Sequence, residues 1–189
     1  LTVAAATSDA ARLINLAVRT STGSGANGLI VGFVVGGAGT SGNKPLLIRG
    51  VGPTLAAFGV ASALADPRLQ IYSGPTLIQE NDDWAGDAQV ASVTPQVGAF
   101  ALSGPASKDA ALVFNRAAGT YTAQISGAGT TTGVALAELY DATPGASFTT
   151  ETPRLINVSA RTQVGTGANI LIAGFVVAGA SNSAKTVLV

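Results

Sequence analysis

Cysteine, methionine and histidine are all missing from the 189 residues. Without Cys there is no disulfide framework, no thiolate nucleophile and no zinc–thiolate site. Without His the commonest general base is gone, and a Ser or Thr nucleophile loses its usual partner. Without Met there is no initiator residue, so the sequence reads as a processed portion of a longer product; the lack of a signal peptide fits prior removal. Charge is scarce too. Charged residues make up 11%, and ten basic and ten acidic residues cancel, where a typical soluble domain carries about 25%. No basic run offers the concentrated positive face that nucleic-acid binding needs. Apolar runs such as Leu29–Val35 fall far short of the roughly 20 residues of a membrane helix, and no basic amphipathic helix suits a membrane surface. Nucleic-acid binding and membrane insertion are therefore not expected.

What is present is small and apolar: 47% hydrophobic residues and 24 glycines. A surface with so few charges must be covered by Gly, Ala, Ser, Thr and Asn, or by another protein. The second option points to assembly.

Self-similarity is the strongest signal. Residues 12–42 read RLINLAVRTSTGSGANGLIVGFVVGGAGTSG, and residues 154–184 read RLINVSARTQVGTGANILIAGFVVAGASNSA. The two stretches lie 142 residues apart and agree at 19 of 31 positions. After a one-residue shift, Lys44–Ile48 aligns with Lys185–Val189. Solenoid and propeller repeats run about 20–50 residues, so this period is that of a whole domain. The expected organisation is an arm or linker over 1–11, a β-sandwich repeat over 12–141, a linker over 142–153 and a partial second repeat over 154–189. That partial copy stops inside what is a strand in the first.

The hydrophobic pattern is that of an all-β chain. Arg12–Thr20 alternates, as a half-buried strand does. Leu29–Val35 is continuously apolar and reads as a strand covered on both faces, with Gly32 and Gly174 marking a bulge or a close backbone approach. Lys44–Arg49 is a third strand, and Thr54–Leu64 contains a short helical turn. Arg68–Tyr72 and Thr76–Glu80 form a hairpin around Ser73-Gly74-Pro75. Asp87–Val97 is the one segment that suits a short helix, with Asp87 as its cap. Ala110–Asn115, Thr120–Ser126 and Val134–Tyr140 complete the first repeat, and Arg154–Thr162, Ile170–Val177 and Lys185–Val189 restate its first three strands. The expected fold is an antiparallel β-sandwich or jelly-roll with at most one short helix.

The motifs RLINxxxRTxxGxGAN, LLIRGVGPTLAAFGV, ALADPRLQIY, NDDW, AGTYTAQISG and GVALAELYD resemble a tandem repeat of very large secreted or surface proteins of environmental bacteria. The resemblance covers essentially the whole chain. From Arg68 to Asp141 the chain is also similar to the jelly-roll modules known as pre-peptidase C-terminal domains, appended to secreted bacterial enzymes. The resemblance implies an extracellular or cell-surface location, tandem arrangement and no intrinsic catalysis. It carries no catalytic residues to transfer.

Candidate chemistry is thin. Glu80-Asn81-Asp82-Asp83-Trp84, followed by Asp87, is the densest polar cluster. Asp82, Asp83 and Asp87 are calcium candidates, since Ca²⁺ takes six to eight oxygens in flexible geometry; a solvated Asx turn is the competing reading. Adjacent carboxylates in one loop rarely face each other across the 5–10 Å cleft of a glycosidase, so no enzyme is expected. Trp84, Tyr72, Tyr121 and Tyr140 are the residues a sugar-binding platform would use; core or turn packing is the alternative. Gly23/Gly25 and Gly50/Gly52 lack the Gly-Lys-Ser/Thr of a phosphate loop.

The partial repeat carries the leading expectation. Each large aliphatic side chain left bare costs roughly 1.5–3 kcal/mol, and an open strand edge is a template for pairing. Such a segment packs on the N-terminal copy, joins a neighbouring molecule, or belongs to a longer chain. The second option is the leading one: a structural subunit of an extracellular filament, with self as partner, polymerising head-to-tail by strand complementation. The assembly residues would be Arg154, Ile156, Asn157, Val158, Arg161, Ile170, Ile172, Phe175, Val177, Val187 and Val189. Arg12, Asn15 and Arg19 recur at 154, 157 and 161 and suit an interface between repeats. A carbohydrate- or surface-binding module is the alternative, with a glycan as partner.

Overall fold

A computed structural model describes residues 11–167, 170–179 and 184–189. The arm expected over 1–11 lies, apart from Ala11, outside the described residues. The strands are β1 (Arg12–Thr22), β2 (Leu29–Gly36), β3 (Asn43–Val51), β4 (Pro67–Ser73), β5 (Thr76–Asn81), β6 (Ala110–Ala117), β7 (Gly119–Gly127), β8 (Gly133–Asp141), β9 (Arg154–Arg161) and β10 (Ile172–Ala178). One α-helix among the described residues, α1 (Ala88–Gln96), follows β5, and 3₁₀ turns include Pro53–Phe58.

Every strand pairing is antiparallel. The hydrogen-bonded order is β5-β4-β7-β2-β9-β1-β8-β3-β6, and off this path β10 pairs with β1 on the edge opposite β8. This long sheet folds back on itself. β4 and β5 approach β6, and β7 approaches β1 and β8, so the two halves face each other as the layers of a sandwich that is nearly closed. The fold is the all-β, antiparallel architecture with one short helix that the strand pattern implies.

The core between the layers holds Leu29, Val31, Phe33 and Val35 of β2, Leu46 and Ile48 of β3, Leu69 and Ile71 of β4, Phe114 of β6 and Ile125 of β7. Phe33, Phe114 and Tyr121 meet with ring centroids 4.9–5.7 Å apart, distances at which edge-on and tilted rings add to area burial. A second cluster on the outer face joins Leu47, Ala111 and Tyr140 to Val90 of α1, with Trp84 packed against it. That cover explains why β3 is buried on both faces.

β2 differs from its expectation. Leu29, Val31, Phe33 and Val35 are buried but Ile30, Gly32 and Val34 are only half-buried, because nothing comparable to α1 covers its outer face. Gly32 does mark a close approach, since a Cβ there would lie 2.9 Å from Ser159 Oγ. Gly174 has open space instead. The bulge falls elsewhere: the β1–β10 register slips between Leu13 and Asn15.

Candidate functional site: the partial repeat and its seat

The second copy's strands are seated on the first copy of the same chain. β9 pairs with β2 from Ile30↔Arg161 to Gly36↔Arg154. β10 pairs with β1 from Arg12↔Ala178 to Arg19↔Ile172. β9 also touches β1 through the single bridge Leu13↔Leu155. Of the three ways to cover a partial repeat, packing on the N-terminal copy is the one seen within this chain.

The covering is incomplete. β9 has β2 along one edge and only the Leu155–Leu13 bridge towards β1, while β10 is paired with β1 alone among the described residues. In the first copy, β1 is flanked by β8 and β2 by β7. A cavity of about 690 Å³ opens at this place, lined by Leu13, Leu16 and Val18 of β1, Leu155 and Val158 of β9, and Phe175 of β10.

The expected assembly residues divide by position. Arg154, Asn157, Val158 and Arg161 are paired with β2, and Ile172, Phe175 and Val177 with β1. Ile156 is the unpaired residue of a bulge opposite Val34 and Val35 and is exposed. The Arg154 guanidinium lies against Gly37, where a Cβ would approach within 2.7 Å of it; at φ +130° that position favours glycine in any case. Ile170 is exposed, and Val187 and Val189 line the cavity beside Leu188. Phe175 remains 45% exposed, whereas its first-copy equivalent Phe33 is 1% exposed. Leu188 and Val189 are 99% and 100% exposed.

Arg12, Asn15 and Arg19 serve different ends. Arg12 bonds Asp141 at 3.4 Å and stacks 3.9 Å over the Phe148 ring. Asn15 donates to the Leu139 carbonyl of β8 at 3.2 Å. Arg19 faces Ile172 across the β1–β10 ladder. All three positions lie on the β1–β10 ladder, Arg12 opposite Ala178 and Asn15 opposite Val176, while the Arg12 and Asn15 side chains bond Asp141 and the Leu139 carbonyl.

Asp83 and Asp87 of the acidic cluster are engaged in structural contacts. Asp87 caps α1, accepting from the Val90 amide at 2.8 Å. Asp83 pairs with Lys108 at 2.7 Å, and that bond holds the Lys108 ammonium above its ordinary pKa. Among the described residues no group of three or more acidic, His or Cys side chains is placed to hold a metal, so Asp82, Asp83 and Asp87 do not converge as a ligand set. The aromatic residues do not converge either. Trp84 donates to the Gly104 carbonyl at 2.8 Å, Tyr121 is in the main core, Tyr140 is under α1, and Tyr72 bonds Gln70.

Two buried ionic clusters escaped the reading of the sequence. Arg49, fully buried, forms an ion pair with Glu138, donates to the Phe100 carbonyl at 2.6 Å and lies over the Phe100 ring. Tyr140 donates to the same Glu138 at 2.7 Å; burial first, then the Glu138 charge, pushes its phenol well above the ordinary value. Lys44 sits 2.5 Å from Asp141 and donates to Thr143 at 2.8 Å. Burial lowers the Lys44 pKa, and the Asp141 charge opposes that. Asp109, also buried, accepts from the Gly52 and Thr54 amides and from the Thr54 and Ser107 hydroxyls. Each cluster is internally satisfied and none opens into the cavity described above. They hold β3, β8 and the turn at 53–58 together.

No helix among the described residues is long and apolar enough to cross a membrane. Comparisons with protein-family models, with curated proteins and with solved structures find no match.

Proposed function

We propose that this chain is a structural subunit of an extracellular or cell-surface assembly, joined to further copies of itself by strand pairing through residues 154–189. The observation that carries the proposal is the half-covered state of β9 and β10, with Ile172, Phe175, Val176, Leu188 and Val189 exposed beside them. Exposed aliphatic and aromatic side chains at roughly 1.5–3 kcal/mol each, next to unpaired backbone, favour a protein partner. The arrangement of the first copy supports a further copy of the chain as that partner. Strands of the β8 and β7 type cover β1 and β2, and β9 and β10 are repeats of those two strands. Within this chain β7 and β8 are already paired on both edges, so the exposed β9 and β10 of a further copy are the partner this favours, and a low surface charge removes a barrier to stacking copies.

Sedimentation velocity over a concentration series, with negative-stain microscopy of the same samples, tests this. The full chain is expected to form larger species or fibres as concentration rises. Leu188→Lys with Ile170→Lys, which touch no strand ladder, is expected to abolish them. A chain that stays monomeric at every concentration, or assembly indifferent to both lysines, overturns the proposal.

A further inference from the structure

The contacts between the two copies are one contact seen twice. Along β1 and β10, Arg12 opposes Ala178, Leu13 opposes Val177, Asn15 opposes Val176, Leu16 opposes Phe175 and Arg19 opposes Ile172. Along β2 and β9, Gly36 opposes Arg154, Val35 opposes Leu155, Val34 opposes Asn157, Phe33 opposes Val158 and Ile30 opposes Arg161. Moving each second-copy residue back by 142 positions turns either series into the other. The irregularity also coincides, since β1 skips Ile14 and β9 skips the equivalent Ile156. Leu13 meets Leu155, its own equivalent, as happens only on a two-fold axis.

Such reciprocity defines an isologous contact, in which one patch meets itself. A docking of unlike surfaces would pair residue i with j without returning j to i. The side chains near the axis follow the same rule. Leu13, Leu16 and Val18 from one side and Leu155, Val158 and Ala160 from the other line a single cavity. At the middle of the ladders the facing pairs are Ala17 with Gly174 and Gly32 with Ser159, equivalent positions in the two copies.

We infer that Arg12–Gly36 is a self-complementary dimerisation element whose partner is a second copy of itself. Within this chain that copy is Arg154–Ala178. When β9 and β10 are prevented from pairing, Arg12–Gly36 of another molecule takes their place, forming a closed two-fold dimer. The inference shares with the function proposed above only the use of a further copy as partner. It concerns the paired edges of β1 and β2, whereas that proposal concerns the open side of β9 and β10.

The test uses the full chain carrying Ser159→Pro and Gly174→Pro, which put a residue without an N–H into the middle of β9 and of β10, together with Leu13→Cys as the sole thiol. Paired antiparallel residues have Cα atoms about 4.5–5.5 Å apart, within disulfide reach. The expected result is a particle of doubled mass, covalently closed through Cys at 13 on oxidation and released by reductant. A folded monomer whose thiol stays free overturns the inference. Should the proline variant not fold, a second full-chain variant decides. Val158→Leu, Ser159→Ala, Ala160→Val, Ala173→Val and Ala178→Gly make β9 and β10 identical to the segments they repeat. A self-complementary contact accepts this, with the unfolding midpoint lowered by less than about 5 °C; a larger fall overturns the inference. Monomeric behaviour of the unmodified chain would sink the assembly proposal and leave both of these outcomes readable.

Discussion

Arg49 and Lys44 lie within a strand that the pattern identifies, but their burial cannot be read from the strand. Their partners Glu138 and Asp141 belong to β8, and Glu138 is 89 residues from Arg49 along the chain. Arg49→Met would leave Glu138 as a buried charge without its cation, so a loss of about 3–5 kcal/mol is expected, measurable by urea denaturation. Tyr140 gives a pH signature. Its folded pKa is raised, so the folded state keeps a proton that the unfolded state releases. The associated stability is full below the ordinary tyrosine pKa of 10.0 and is lost as pH rises above it. The stability difference between the parent chain and Tyr140→Phe should therefore be constant at neutral pH and shrink above about pH 10, as followed by denaturation at a series of pH values. At Asp87 the helix cap foreseen in the sequence is the role observed. Asp82 and Asp83 do not gather with it, because a carboxylate cluster in sequence is a ligand set only if the loop turns its oxygens inward.

Strands and turns were legible wherever period and turn chemistry agree. The β4–β5 hairpin turns at Gly74 with φ +55°, as its Ser-Gly-Pro suggests, and α1 begins after its Asp. Asp87→Ala is expected to remove about 1 kcal/mol, seen as a small fall in the thermal midpoint. Gly52 follows β3 for a reason that no pattern supplies: a Cβ there would stand 2.1 Å from the Leu64 carbonyl oxygen. Gly52→Ala is expected to displace the turn at 53–58 and to break the Asp109 bonds to the Gly52 and Thr54 amides, with a loss of several kcal/mol or failure to fold, checked by circular dichroism and urea melts. Gly174→Ala, with nothing within 4 Å of the added carbon, is expected to be tolerated and to raise strand stability slightly. The continuous apolar run of β2 misled because a strand's outer face can stay apolar without being covered.

For the whole molecule, the repeat announced itself through identity at a fixed offset, and the need to cover 154–189 followed from its composition. What was not legible was where that cover is found. The second copy's first two strands lie on the first copy's first two strands, crosswise, and the remaining open side is what the assembly proposal uses. A chain cleaved at an engineered protease site within the linker at 142–153 is expected to remain one particle, because β9 and β10 are held by two ladders. Gel filtration after cleavage, with separation of the pieces only in denaturant, is the measurement.

Composition and period determined the β-rich class, the scarcity of surface charge, the near-absence of helix and the duplication, because each is a property of local sequence summed along the chain. The tertiary structure alone decided which edges meet, which charges are sealed inside and that the copies pair reciprocally about Leu13 and Leu155. Those depend on contacts between residues far apart in sequence, where backbone edges and side-chain volumes choose a partner that no local pattern names.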